Sequence, residues 1–329
     1  MLALLAAAEL LLPYSGPLGI YSASDRVTCW SLRPGYRGVG PNLPDVALSY
    51  TMQVNNLGLR GGPLALPKPA GVIRIAALGD SVTFGFGVSE EETYPARVAS
   101  LLAADVAPKR TDWVNAGVPG FSSLQGLGQL DKRVLPTRPD IVVVLFGWND
   151  GWRATTPDSA WRPGKLEALI PSSRLFAFAQ RHPESLMCRF GPRTGEDTRP
   201  MSPRVPVPDF EQNLRDITSH VRRAGATPIP VTAPAAFGPH RPRDSYFRYG
   251  WTVPRAELEP TRLRYAPAVR RVATATSTPA VDCAVLVPAD PALFLADGYH
   301  PNKAGSKSWR ERLPKRSVRR DGCPSTGGE

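Results

Sequence analysis

Cysteine and histidine are scarce in this chain, four of each in 329 residues, and neither is clustered. Cys29, Cys188, Cys283 and Cys323 stand far apart, with no CxxC pair and no histidine at zinc-ligand spacing. That spacing excludes a structural zinc module and a disulfide-dense mini-fold. Lysine is sparse beside arginine, 7 residues against 33, a skew that fits GC-rich coding better than any physical demand. No apolar run approaches the roughly 20 residues that span a bilayer. The segment 1–12 is apolar except for Glu9, stops at Pro13 and lacks the positive start of a secretory signal. It reads either as the remaining half of a membrane anchor or as a helix packed on the domain. The anchor reading favours an extracytoplasmic or membrane-attached location over a cytoplasmic one.

A dispersed basic stripe is also missing. The net charge is +11, yet residues 303–320 alone hold eight Lys or Arg against one Glu. What remains carries no basic patch interleaved with aromatics, so nucleic acid is not an expected partner. With 42% hydrophobic and 21% charged residues, the chain has the composition of a globular protein.

Its texture divides at Gly71. Residues 21–70 are rich in Pro and Gly and show no helical period, as a lead-in draped on a main domain would. From Val72 apolar strands alternate with amphipathic helices. Strands are expected at Val72–Leu78, Trp113–Asn115, Ile141–Phe146, Pro228–Thr232 and Val281–Val287. Helices are expected at Tyr94–Ala104, Leu124–Leu135, Phe210–Ala224 and Thr261–Ala275, with a last one starting near Pro301. Asp209 reads as the cap of the third, Gln212 as its capping-box partner and Gly225 as its stop. Strand–helix alternation with short loops indicates a parallel sheet covered on both faces, with ligands at the carboxyl ends of the strands. Insertions at 151–208, including an expected helix Lys165–Arg181, and at 233–257 leave that edge; lids, substrate walls and plain decoration all fit them. The domain is expected to run over 71–313, followed by a basic, disordered tail at 314–329.

The loops after the strands carry the chemistry. Gly79-Asp80-Ser81 places a hydroxyl in a glycine-relieved turn before a helix. Asn115 to Gly120 holds two glycines, at 117 and 120, that leave backbone N–H groups unobstructed. Gly147-Trp148-Asn149-Asp150 offers an asparagine amide. Asp297-Gly298-Tyr299-His300 joins a carboxylate to a histidine three residues on. Each alone is as readily a turn, and a DxxH spacing arises easily by chance. Together they supply a nucleophile (Ser81), a base (His300), an orienting carboxylate (Asp297) and three oxyanion donors: a backbone N–H beside Ser81, an unobstructed glycine N–H from the second block and the Asn149 side chain. Acyl transfer needs those parts and neither a metal nor a cofactor.

These four blocks, in this order, resemble the SGNH hydrolases, the GDSL family of esterases and lipases, over residues 73–313. The lead-in Asn55–Gly61 resembles the approach to the first block in large bacterial members. No GxSxG elbow is present, so the chain does not resemble the ordinary α/β-hydrolases. The resemblance implies a flavodoxin-like three-layer α/β/α fold with a five-stranded parallel sheet. It also implies the roles of Ser81 as nucleophile, His300 as base and Asp297 as its partner, and it places the oxyanion donors at the Ser81 N–H, the Gly120 N–H and the Asn149 side chain. The helix after His300 is more basic, at Lys307 and Arg310, than the resemblance leads one to expect. The expected function is a metal-independent serine esterase acting on a small-molecule, lipid or sugar ester. The alternatives are an acyl transferase or deacetylase working on a polysaccharide, and a silent carbohydrate-binding relative. Trp148 and Tyr299, with the aromatic run Tyr246–Trp251, are candidates to line the substrate site or simply to pack.

Overall fold

A computed structural model describes residues 20–23, 27–40, 50–154, 156–160, 202–237 and 258–312, the last four without their side chains. The apolar N-terminal segment, the helix expected at Lys165–Arg181, the aromatic run Tyr246–Trp251 and the basic tail lie outside the described residues. Among the described residues no helix is long and apolar enough to cross a membrane.

The lead-in folds as two small hairpins. Strands β1 (Tyr21–Ala23) and β2 (Trp30–Leu32) pair antiparallel, as do β3 (Arg37–Val39) and β4 (Thr51–Gln53). The main sheet is built from β5 (Val72–Gly79), β6 (Arg110–Gly117), β7 (Ile141–Leu145) and β10 (Thr227–Pro230). Between the last two, β8 (Arg153–Ala154) and β9 (Ser202–Pro203) pair antiparallel at the two ends of the first insertion. The four main strands are parallel and lie in the order β10-β7-β5-β6, so the first strand of the sheet sits inside and the chain reverses direction between β5 and β7. In such sheets the crevice at that reversal, at the carboxyl ends, is where ligands bind. The register brings Gly79 opposite both Gly117 and Leu145, so three loops leave one edge side by side.

Alternation along the strands serves two cores. Ala76, Leu78, Val114, Ala116, Val142 and Val144 face one apolar cluster, and Ile75, Ala77, Val143, Leu145 and Ile229 face another. Among the described residues seven α-helices follow the chain: α1 (Ser81–Phe84), α2 (Tyr94–Asp105), α3 (Ser123–Gln129), α4 (Val207–Arg223), α5 (Leu258–Ala275), α6 (Cys283–Leu286) and α7 (Lys303–Arg312). The first cluster takes Phe210, Leu214, Ile217 and Val221 from α4 and Tyr265, Val269 and Val272 from α5. The second takes Tyr94, Ala99 and Leu102 from α2, and α7 packs beside α2. Each large side chain so buried contributes about 2 kcal/mol before entropy is counted. The result is the three-layer α/β/α fold that the alternation implied.

Three local expectations need correction. The fifth strand is reduced to one parallel bridge, Val231 with Val281. The Thr232 hydroxyl then donates to Asp282 (2.7 Å) and accepts the Ala284 N–H (2.9 Å), which diverts the chain from the ladder into α6. The third expected helix begins a turn early, at Val207 with Pro206 as its cap, because proline is tolerated where the first-turn N–H has no partner anyway. Asp209 lies inside that first turn, and Gln212 donates to Asp216 (2.9 Å) instead of closing a capping box. The helix expected over 124–135 keeps α pitch only to Gln129, then continues as a π turn, Leu130–Val134, and a 3-10 turn, Leu135–Thr137. Its true capping box, Ser122 with Gln125, was not recognised from the sequence.

Candidate active site

The loop after β5 is shaped by contact on both sides. A Cβ on Gly79 would stand 2.1 Å from the Thr83 hydroxyl and 2.5 Å from the Leu145 carbonyl, so only glycine fits there. Asp80 caps α1, its Oδ1 accepting the Val82 N–H at 2.9 Å, and Ser81 is the first helical residue. The short helix ends at Gly85 in the left-handed region (φ 81°). Arg60, from the lead-in, is buried and donates to the carbonyls of Phe84, Gly85 (2.7 Å) and Val88 (2.6 Å), which pins the far end of α1. Burial lowers its guanidinium pKa to about 10.

The second block locks onto the first. Asn115 Nδ2 donates to the carbonyls of Thr83 (2.9 Å) and Phe84 (3.2 Å), while its Oδ1 accepts the Gly117 N–H at 2.9 Å. Gly117 lies so close to α1 that a Cβ would meet the Phe84 nitrogen at 2.1 Å. Beyond it, Gly120 takes φ 83°, and its N–H finds no acceptor among the described residues.

In the third block Asn149 is buried and donates from Nδ2 to the Phe121 carbonyl at 2.9 Å, tying its amide to the Gly120 loop. Asp150 braces the same loop. Its Oδ1 accepts the Ser123 N–H (2.8 Å) and hydroxyl (2.6 Å), and its Oδ2 accepts the Gly147 N–H (3.0 Å). Burial pushes its carboxyl up to about 6, opposed by those Ser123 hydrogen bonds and by Arg204.

The fourth block reaches across 219 residues of sequence. His300 Nε2 lies 2.7 Å from Ser81 Oγ, and His300 Nδ1 lies 2.6 Å from Asp297 Oδ2. Asp297 Oδ1 accepts the N–H groups of Tyr299 and His300, each at 3.0 Å, so both carboxylate oxygens are committed. Asp297 is fully buried and the imidazole nearly so, packed between the rings of Phe86 (5.3 Å) and Tyr299 (4.5 Å). Ser81 is half-buried. Serine, imidazole and carboxylate therefore form one unbroken hydrogen-bonded chain. Trp148 and Tyr299, the candidate lining residues, are both buried in the second core, their rings 5.2 Å apart, with Phe237 edge-on to Trp148.

Asp80 carries an electrostatic consequence. Among the described residues its Oδ2 is buried without a hydrogen-bond partner, and burial pushes the carboxyl from 3.8 up to about 7, opposed by the Val82 N–H and His300. Between those values the folded chain holds a proton that the unfolded chain has lost, so this group's contribution to stability falls as pH rises. Asp80→Asn removes the titration. The melting temperature of the variant relative to wild type should rise steadily from pH 4 to pH 7; a constant difference across that window would refute the shift.

The class that the fold and site define is a three-layer α/β/α protein with a serine–histidine–carboxylate chain at the carboxyl edge of its parallel sheet. The model of the GDSL-like lipase/acylhydrolase family matches residues 77–307, and the chain belongs to that family. Among curated proteins it is similar to the "Thioesterase 1/protease 1/lysophospholipase L1" of Escherichia coli K12, 33% identical over 90 residues, which cover 27% of this chain and 41% of that protein. It is also similar to "Esterase TesA" of Pseudomonas aeruginosa, 29% identical over 92 residues, covering 28% of this chain and 45% of that one. The match thus spans less than half the length of these curated relatives. Among solved structures, a lipase/acylhydrolase from Enterococcus faecalis is 20% identical, covering 73% of this chain and 92% of that chain at a TM-score of 0.44. An acetylxylan esterase from Geobacillus stearothermophilus is 18% identical, covering 73% and 91% at a TM-score of 0.44.

Ser123 and Arg204, outside the four blocks, hold the loops but belong to no short motif, and Arg60 lies in the Asn55–Gly61 lead-in without an assigned part. Asn115 and Asp150 lay inside recognised blocks without an assigned part. An asparagine at the end of the expected strand Trp113–Asn115 was the one available signal for Asn115.

Proposed function

We propose that the protein is a serine ester hydrolase. Ser81 Oγ attacks the acyl carbonyl while His300 Nε2 takes its proton, and Asp297 holds the imidazole in the tautomer that accepts there. The N–H groups of Ser81 and Gly120 and the Asn149 amide stabilise the tetrahedral oxyanion. The histidine then returns the proton to the leaving alcohol, and water, activated by the same imidazole, cleaves the acyl-enzyme. Nothing in this sequence of steps calls on a metal. The observation that carries the reading is the hydrogen-bonded chain from Ser81 through His300 to Asp297, 2.7 and 2.6 Å. Family membership and the esterase and thioesterase names of the curated relatives support it.

A p-nitrophenyl ester series from acetate to palmitate, run with and without EDTA, tests the reading. Hydrolysis that persists in the chelator, with a serine-directed phosphonate transferring its phosphonyl group to Ser81 Oγ as its leaving group departs, is expected. No hydrolysis and no labelling of a folded protein would refute it. Product analysis with a sugar acceptor separates hydrolysis from transfer, since only transfer yields an acylated sugar. Asn149→Ala should fold and turn over about a hundredfold more slowly, a loss of roughly 3 kcal/mol of transition-state stabilisation. Near-normal turnover would remove Asn149 from the mechanism.

A further inference from the structure

We propose that Trp30 and Arg204, which lie outside all four blocks, are positioning residues that aim the Gly120 N–H at the reacting acyl group. The proposal rests on the serine-hydrolase reading above.

Gly120 has no side chain of its own to hold its backbone in place. With no Cβ and φ at 83°, the peptide planes on either side of it are free to rotate unless something holds them. An oxyanion donor is useful only if its direction is set before the charge develops. Three consecutive carbonyls around this glycine are each gripped by a side chain from a different part of the chain. Trp30 Nε1 donates to Pro119 O at 3.1 Å, Arg204 Nη1 to Gly120 O at 2.7 Å, and Asn149 Nδ2 to Phe121 O at 2.9 Å.

The first grip acts on the donor itself. Pro119 O and the Gly120 N–H belong to one planar trans peptide and point in opposite directions. Holding the oxygen against the indole of Trp30 therefore turns the N–H away from the lead-in. The second grip fixes the following plane, whose N–H, that of Phe121, donates to Val118 O at 3.1 Å.

Both side chains are anchored well enough to do this. The Trp30 ring is buried and meets Phe121 edge-on at 5.5 Å, and Gln125 Nε2 ties the adjacent Thr28 carbonyl to α3 at 2.8 Å. Arg204 is 1% exposed. Its guanidinium also donates to Gln125 Oε1 (2.7 Å) and to both oxygens of Asp158 (3.3 and 3.1 Å), and Asp158 accepts the Ser122 hydroxyl at 2.6 Å. Its backbone N–H donates to Trp152 O and its carbonyl accepts the Asp158 N–H, each at 2.7 Å, while the next N–H, of Val205, donates to Asp150 O at 3.0 Å. One residue thus joins the loop bearing Asn149 to the loop bearing Gly120. The lead-in and the return of the first insertion are on this account parts of the oxyanion apparatus.

Trp30→Phe removes the indole donor and keeps an aromatic ring; Arg204→Lys keeps the charge and loses the fork. Steady-state hydrolysis of the best p-nitrophenyl ester should show kcat lowered about tenfold or more in each, with KM little changed. Affinity for an alkylboronic acid, whose tetrahedral serine adduct places an oxygen where the oxyanion forms, should fall by a similar factor. Melting curves report folding, and if Arg204→Lys does not fold, Trp30→Phe decides alone. Unchanged kcat, or lowered kcat with unchanged boronate affinity, overturns the positioning role even where the melting temperature drops. Wild type and Ser81→Ala are measured beside them. If wild-type activity depends on Ser81 and Trp30→Phe keeps both kcat and boronate affinity, only the positioning role fails. If wild type is inactive, or Ser81→Ala is as active, the hydrolase reading fails and takes the proposal with it.

Discussion

Ser81→Ala should fold as wild type does and lose ester hydrolysis by about four orders of magnitude or more. The side chain is half-buried and its hydroxyl has one described partner, His300 Nε2 at 2.7 Å, so removing it leaves no cavity of consequence and frees an imidazole nitrogen that can turn to water. The hydroxyl is also the only group to which the reading assigns bond formation. What survives would be the catalysis that binding and the oxyanion donors supply without a nucleophile, which in serine hydrolases is a small remainder. Stopped or steady-state hydrolysis of p-nitrophenyl esters measures the loss, and thermal melting checks the fold. A residual rate within tenfold of wild type would mean that another residue attacks.

Asp297→Asn should be nearly as costly, by about 10⁴ in kcat, although it changes one atom. Asp297 Oδ1 accepts two backbone N–H groups, from Tyr299 and His300, and this leaves Oδ2 to face His300 Nδ1 at 2.6 Å. An asparagine must keep its oxygen toward the two N–H groups, so its NH2 turns toward the imidazole. Nδ1 then accepts, the ring proton moves to Nε2, and the nitrogen facing Ser81 can no longer take the serine proton. The substitution therefore acts through the tautomer, with the geometry intact. Substrate binding should persist while turnover collapses, so KM moves little. A loss of less than tenfold would show that the carboxylate only packs the loop.

The parts of the site that were legible in the sequence are those whose function depends on local order. Gly79-Asp80-Ser81 and Asp297 to His300 each complete a turn within a few residues, so residue type and spacing carry the information. The same holds for β7, whose unbroken apolar run reflects burial on both faces. Val281–Val287 was misread because an apolar run says that a segment is buried, not that it pairs. Thr232, about fifty residues earlier in the chain, supplies the hydroxyl that turns it into α6. α4 starts a turn before the cap that Asp209 suggested, because Pro206 and Pro208 occupy positions with no N–H to lose.

By itself the sequence determined the alternation of strand and helix, the order of the four blocks and the residue types that acyl chemistry requires. All of these are written in periods and spacings of a few residues. Tertiary structure alone decided that these parts meet. The parallel register aligns Gly79, Gly117 and Leu145 at one edge, and His300 closes on Ser81 from 219 residues away. It also recruited Arg60, Trp30 and Arg204, whose donors reach carbonyls 24, 89 and 84 residues distant. A buried carbonyl needs a donor but accepts one from any segment that packs nearby, so these partners follow from how the chain is folded back on itself and leave no local pattern to read.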